Sequence, residues 1–341
     1  MENLSSSKIL VTGASGYIAS HITKLLLERN YKVRGTVLSL KNKNEYEFLY
    51  GIVPEKSSNL ELVEADLNDH SCWLSVLKDC NYVFSVAAPV PGGNAHTESE
   101  FVNPAVKGTQ SILDAAMRNG VKRVVITSSV GAISCGNEDR ILNESDWSIE
   151  SASELYTKSK LKSEKAAWEF YEKNKGKIQV CCINPSFVFG PVFKAKGNST
   201  CEFICDIIKG TSPGIIDTTI PIVDVREVAE IHLKAMFTDN AEGQRYICSS
   251  KNVSFKEIVS ILKNEFEKYG YEIADKVLTF QQVKESNSML LGFLPMIGKQ
   301  IRVNNEKSIR ELGIHYRSIE ATLCETGFSL IKNGALPNKL K

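Results

Sequence analysis

Residues 11–20 read VTGASGYIAS. Residues 9–11 are short and apolar, and after the glycines Ile18, Ile22, Leu25 and Leu26 recur at helical spacing. The stretch is therefore a turn between a strand and a helix, and its small residues decide what kind of turn. Gly13 permits a tight bend, Gly16 lets backbone approach a pyrophosphate, and Ala19 allows the helix to close on the strand. The helix start, with Ser15, Gly16, Tyr17 and Ile18, offers unpaired N–H groups and a partial positive charge to an anion. In this strand–turn–helix setting, Gly-x-x-Gly-x-x-Ala predicts a dinucleotide site.

Working outward, strand-like and helix-like segments alternate as far as residue 185. Strands are predicted at 31–37, 60–63, 82–86, 121–127 and 178–183. A helix over 101–119 carries Val102, Val106, Leu113 and Met117 on one stripe, with Pro104 expected in its first turn. This alternation predicts an α/β fold, a Rossmann-type, doubly wound parallel sheet. After Pro185 the alternation breaks down, and residues 190–220 are rich in Gly, Pro, Ser and Thr. The expected organisation is a dinucleotide-binding domain over 1–185, to which 220–250 return. A smaller, mixed substrate-binding region is expected to be built from 186–219 and 251–341.

A second stretch, YTKSK at 156–160, places Tyr156 and Lys160 four apart, on one face of a predicted helix. A free phenol has a pKa near ~10, and an ammonium beside it favours phenolate and lowers that value. Ser129, in the TSS that ends the fifth strand at Thr127, can hold a substrate oxygen. Order along the chain joins these residues to the dinucleotide turn and predicts proton transfer next to a bound cofactor.

Which dinucleotide binds is normally written after the second strand, where NAD sites carry an acid for the ribose 2′-hydroxyl. Here no acid follows that strand before Glu45, whereas Arg34, Lys41 and Lys43 are available to a 2′-phosphate. NADPH is the expected cofactor. Asp66, after the third strand, is expected either to accept from the adenine amino group or to cap a helix.

Composition excludes several classes. A net charge of +1 over 341 residues gives no field for nucleic acid or an anionic membrane. No apolar run approaches a membrane span, and the first residues carry no signal-peptide pattern. The 9 cysteines contain no C-x-x-C pair and read as reduced thiols of a cytoplasmic protein. His21, His70, His96, His232 and His315 form no cluster, so no metal site is expected.

With these residues in place, the chain resembles the extended short-chain dehydrogenase/reductases, and among them the dihydroflavonol-reductase-like group of NADPH-dependent aldehyde, ketone and methylglyoxal reductases. The resemblance rests on VTGASGYIAS, LELVEADL, DCNYVFSVAAP, GVKRVVITSSV, YTKSKLKSEKAAWEFY and INPSFVFGP, and covers about residues 7–250. It implies a Ser129, Tyr156, Lys160 triad in which Tyr156 protonates the carbonyl oxygen of a small-molecule substrate. It further implies that Asp66 and Leu67 touch adenine, that Ala87, Ala88 and Thr127 line the cofactor, and that Pro185 and Val188 sit by the nicotinamide. This chain departs from the group at four places. Leu38 stands where an Arg usually grips the 2′-phosphate, and Ser85 stands where a His is common. Ser134 replaces the Asn of dihydroflavonol enzymes, which weighs against a flavonoid substrate. The Asn-Trp-Tyr-Cys-Tyr signature of cinnamoyl-CoA reductases is absent at 153–156. The alternatives are an NAD-dependent sugar-nucleotide epimerase or hydroxysteroid dehydrogenase, and a non-catalytic dinucleotide sensor.

Overall fold

A computed structural model describes residues 7–89, 97–137, 140–195, 197, 199–286 and 288–340. His96 lies outside them. Among the described residues, seven parallel strands form the central sheet. Its first five in chain order are β1 (Lys8–Val11), β2 (Lys32–Val37), β3 (Leu60–Glu64), β4 (Tyr82–Ser85) and β5 (Arg123–Thr127). Across the sheet the order is β3, β2, β1, β4, β5, then Gln179–Pro185, then Arg245–Cys248 at the edge. The strand order reverses between β1 and β4, and a crevice for a ligand opens at such a switch point.

Both faces of the sheet are covered. Helix α1 (Tyr17–Glu28) packs with the Val225–Phe237 helix on one face, around Ile22, Leu26, Phe84 and Ile231. The Glu98–Arg118 and Leu155–Lys173 helices pack together on the other, around Leu10, Trp73, Ile112 and Val124. Strands buried on both faces read as continuous apolar runs, as KILV and RVVIT do.

The Val225–Phe237 helix is pinned to the sheet through its C-terminus. The buried Arg123 guanidinium donates to the carbonyls of Ala235 at 2.8 Å, Met236 at 3.0 Å and Thr238 at 2.6 Å. The strand that follows this helix, Arg245–Cys248, then completes the sheet beside Gln179–Pro185.

A second core lies outside this sheet. Phe189, Phe203, Ile222, Phe255, Phe266 and Leu323 are buried together, drawn from a three-stranded sheet and the Ser199–Lys209, Phe255–Phe266 and Ile319–Lys332 helices. Tyr17 joins the two regions. Its ring packs on both cores, and its hydroxyl donates to the Gly190 carbonyl at 2.8 Å. The Gly190 N–H in turn donates to Thr326 Oγ1 at 2.7 Å.

One sequence expectation is corrected here. Pro104 lies well inside its helix rather than in the first turn. The helix starts earlier because Thr97 and Glu100 form a reciprocal capping box that satisfies its first donors.

Candidate active site

The turn after β1 is built by crowding. Gly13 has φ +62°, and a Cβ there would stand 3.1 Å from the Ala87 Cβ. Its N–H donates to Thr36 Oγ1 at 2.8 Å, and the Ala14 N–H donates to the Thr36 carbonyl at 2.8 Å. Thr12 Oγ1 accepts from the N–H groups of Val86 and Ala87, at 2.8 and 2.9 Å, so β1 and β4 end in register. Gly16 is the N-cap of α1, and no side chain caps the helix. A Cβ at Gly16 would press on the Gly13 carbonyl at 3.1 Å. An uncapped helix N-terminus above a bare-backbone turn fits a dinucleotide pyrophosphate. Ser15 and Ile18 are half-buried at this turn, and Tyr17 sends its side chain away toward Gly190.

The Leu155–Lys173 helix carries Tyr156 and Lys160, the residues expected to exchange a proton. Lys160 Nζ donates to the Thr127 carbonyl at 3.2 Å. Burial pushes its pKa down to about 8, against the opposing pull of the Glu164 carboxylate. Tyr156 is 40% exposed. Burial on its enclosed side pushes the phenol up, and a hydrogen bond with Ser129 draws it partway back. Ser129 Oγ accepts from the Gly131 N–H at 3.0 Å, which orients the hydroxyl. Lys160, Thr127, Ala87, Ala88 and Leu67 line one cleft. Lys160 thus shares this cleft with Ala87, which packs against the Gly13 turn, and Tyr156 and Ser129 are hydrogen-bonded to each other.

Three residues that sequence reasoning did not single out support this set. Glu164 continues the spacing of Tyr156 and Lys160 by another four residues, and its carboxylate accepts from Asn184 Nδ2 at 2.8 Å and Arg245 Nε at 2.6 Å. Asn184 Nδ2 also donates to the Ser129 carbonyl at 3.1 Å. His232, fully buried, has Nδ1 2.6 Å from the Val228 carbonyl and Nε2 2.7 Å from Thr127 Oγ1. Burial holds its pKa at about 4, so the ring is neutral, donates to Val228 and accepts from Thr127. The spacing 156, 160, 164 was a readable signal, whereas the pairing of residues 127 and 232 was not.

The remaining predicted residues are placed as follows. Pro185 ends its strand beneath Ser129, its carbonyl accepting from the Val130 N–H at 2.9 Å. Val188 is buried, and its carbonyl accepts from Thr200 Oγ1. Asp66 is exposed, and its carboxylate accepts from the Asn68 N–H at 2.8 Å in a local turn. It does not cap a helix. Arg34 is corrected: it is buried mid-strand, and its guanidinium donates to Glu61 Oε2 at 3.0 Å and to the carbonyls of Val76 and Lys78 at 2.9 and 2.8 Å. A 2′-phosphate beyond the strand's end is out of its reach. Lys41 stays in the exposed loop after β2.

Residues 9–248 match the NAD dependent epimerase/dehydratase family. Cinnamoyl-CoA reductase 1 of Petunia hybrida is 30% identical over 99% of this chain and 96% of its own length. Tetraketide alpha-pyrone reductase 1 of Arabidopsis thaliana is 30% identical over 98% of both chains. Among solved structures, yeast methylglyoxal/isovaleraldehyde reductase Gre2 complexed with NADPH superposes with a TM-score of 0.79. It is 27% identical, over 96% of this chain and all of that one. Alfalfa vestitone reductase superposes with a TM-score of 0.76 at 26% identity, over 97% of this chain and all of that one. A glycine turn at the head of a parallel sheet and this match over most of the chain's length agree: the chain belongs to the NAD dependent epimerase/dehydratase family, in its extended short-chain dehydrogenase/reductase branch.

Proposed function

We propose that this chain reduces the carbonyl of a small aldehyde or ketone to an alcohol with NADPH, with Tyr156 as the general acid. The observation that carries the reading is the single cleft shared by Lys160, Thr127, Ala87 and Ala88, with Ala87 packed against the Gly13 turn. Lys160 brings an ammonium to that cleft, and the Tyr156 phenol, one helical turn before it, is hydrogen-bonded to the Ser129 hydroxyl. When bound, the reduced dinucleotide supplies the hydride to the carbonyl carbon. The protein's own part is to orient and to protonate. Ser129 donates to the carbonyl oxygen and positions it against Tyr156. Tyr156 gives up its proton as negative charge develops on that oxygen. Lys160, ammonium below about pH 8, stabilises the resulting phenolate and holds a ribose hydroxyl.

The relatives named above are reductases of different carbonyl compounds, which supports a carbonyl substrate and leaves its identity to the mixed C-terminal region. We place the cofactor mainly on residues 1–185 with 220–250, and the substrate on 186–219 and 251–341. All 9 cysteines are free thiols, and no described helix is long and apolar enough to cross a membrane. Both support a cytoplasmic site of action. The test is NADPH oxidation by the purified chain against a panel holding methylglyoxal, isovaleraldehyde, aromatic ketones and a cinnamoyl thioester. Turnover on at least one carbonyl is expected, and silence on all of them overturns the reading.

A further inference from the structure

The carboxylate missing after β2 is supplied by the neighbouring strand. Glu64 ends β3 and stands in register with Val37, which ends β2. Its Oε1 accepts from the Leu40 N–H at 2.6 Å and from the Ser39 hydroxyl at 3.2 Å. Ser39 Oγ also accepts from the Lys41 N–H at 3.2 Å. The loop leaving β2 is therefore folded around an anion that the protein itself provides. In this architecture the adenosine ribose lies at the end of the second strand, where NAD enzymes present an acid to the 2′-hydroxyl.

The other groups at this place point the same way. Leu38, the first residue after β2, is 77% exposed and brings no charge. Arg34 is committed to Glu61 and two carbonyls. Two donors of the loop that follows β2, the Leu40 N–H and the Ser39 hydroxyl, are already taken by Glu64. Its second oxygen, Oε2, has no hydrogen-bond donor among the described residues. A ribose 2′-hydroxyl can donate to that oxygen. A 2′-phosphate would meet a like charge and find these two donors occupied.

We propose that Glu64 sets the cofactor selectivity of this chain, accepting from the ribose 2′-hydroxyl and narrowing the preference for NADPH so that NADH serves as well. The proposal rests on the reductase reading only for its kinetic arm. Exposed Lys41 and Lys43 keep NADPH in use, because they can fold over the phosphate from the solvent side.

The test compares wild type, Glu64→Gln and Glu64→Lys. Dissociation constants for NADPH and NADH are read by fluorescence titration, which needs no turnover, and kcat/KM is read with a carbonyl that the chain reduces. Wild type is expected to separate the two cofactors by less than about tenfold. Glu64→Gln should raise the NADPH-to-NADH affinity ratio by at least about fivefold, and Glu64→Lys by more, as removing or reversing one adjacent charge requires. Most of the kinetic change should appear in KM for the cofactor. Ratios that stay within twofold in both variants overturn the proposal, as does a wild type that prefers NADPH more than about hundredfold. If no carbonyl is reduced but the affinity ratio moves as stated, the reductase reading fails and the role of Glu64 stands.

Discussion

The Arg245 guanidinium meets the Glu164 carboxylate at 2.6 Å inside the protein and stacks 3.8 Å above the Trp147 ring. Glu164 is fully buried, and it also accepts from Ser128, Asn184 and Trp168. Breaking such a pair leaves a charge without a partner where water does not reach. Glu164→Ala is expected to cost about 3–5 kcal/mol of stability, and Arg245→Ala about as much. The double variant should cost less than the sum. Denaturant unfolding of the four proteins checks this, and strict additivity would mean the two side chains do not act as a pair.

Tyr156→Phe removes one hydroxyl that matters chiefly as charge develops on the substrate oxygen. Turnover should fall by roughly 10²-fold or more, while the NADPH dissociation constant changes by less than about twofold. A variant that keeps a tenth of wild-type turnover would show that the proton comes from elsewhere.

Lys160→Met should weaken both NADPH binding and turnover. Burial places the wild-type ammonium at about 8, so it is charged below that pH and neutral above it. Affinity for the anionic cofactor should therefore decline as pH rises through this value in wild type. The Met variant, with no proton to lose, should show no such step. Titrations across the interval decide between the two, and parallel curves would remove Lys160 from the site.

Arg34→Met tests the placement of that residue. The guanidinium satisfies the buried Val76 carbonyl, the Lys78 carbonyl and Glu61, so its loss should cost about 1–3 kcal/mol in stability. The ratio of NADPH to NADH affinity should stay at the wild-type value. A changed ratio at unchanged stability would put Arg34 back at the phosphate.

Glu227 gives stability a pH dependence. It is buried beside Asp224, and these two causes push its carboxyl from 4.5 up to about 7, against the pull of Arg317. The folded chain then holds a proton that the unfolded chain has released. This contribution is full below about pH 4.5 and is lost as pH rises through about 7. Melting temperatures between those limits should fall more steeply with rising pH in wild type than in Glu227→Gln. Equal slopes would mean the group is ionised throughout.

Much of this site was legible in the sequence because its determinants are local. A glycine turn between a strand and a helix, or two residues four apart on one helix, encode their geometry within a few positions, and Gly13, Gly16, Tyr156 and Lys160 stand where their spacing placed them. The start of the Glu98–Arg118 helix was misjudged because the capping box precedes the apolar stripe. Arg34 was misjudged because the direction of a strand residue depends on the neighbouring strand, and Glu61 comes from β3. Glu64 escaped notice for the same reason. It is 27 residues from Val37 in sequence and its immediate neighbour in the sheet. His232 reaches Thr127 across 105 residues, a pairing that only the folded topology creates.

The Tyr17 phenol, bound to the Gly190 carbonyl, has one more consequence. It fastens the first helix of the chain to a loop that Thr326 of the last helix also holds. Neither core can melt without releasing this shared strut, so the two halves should lose structure together in one calorimetric transition. Cofactor added to the N-terminal half should then slow proteolysis at sites in the C-terminal one.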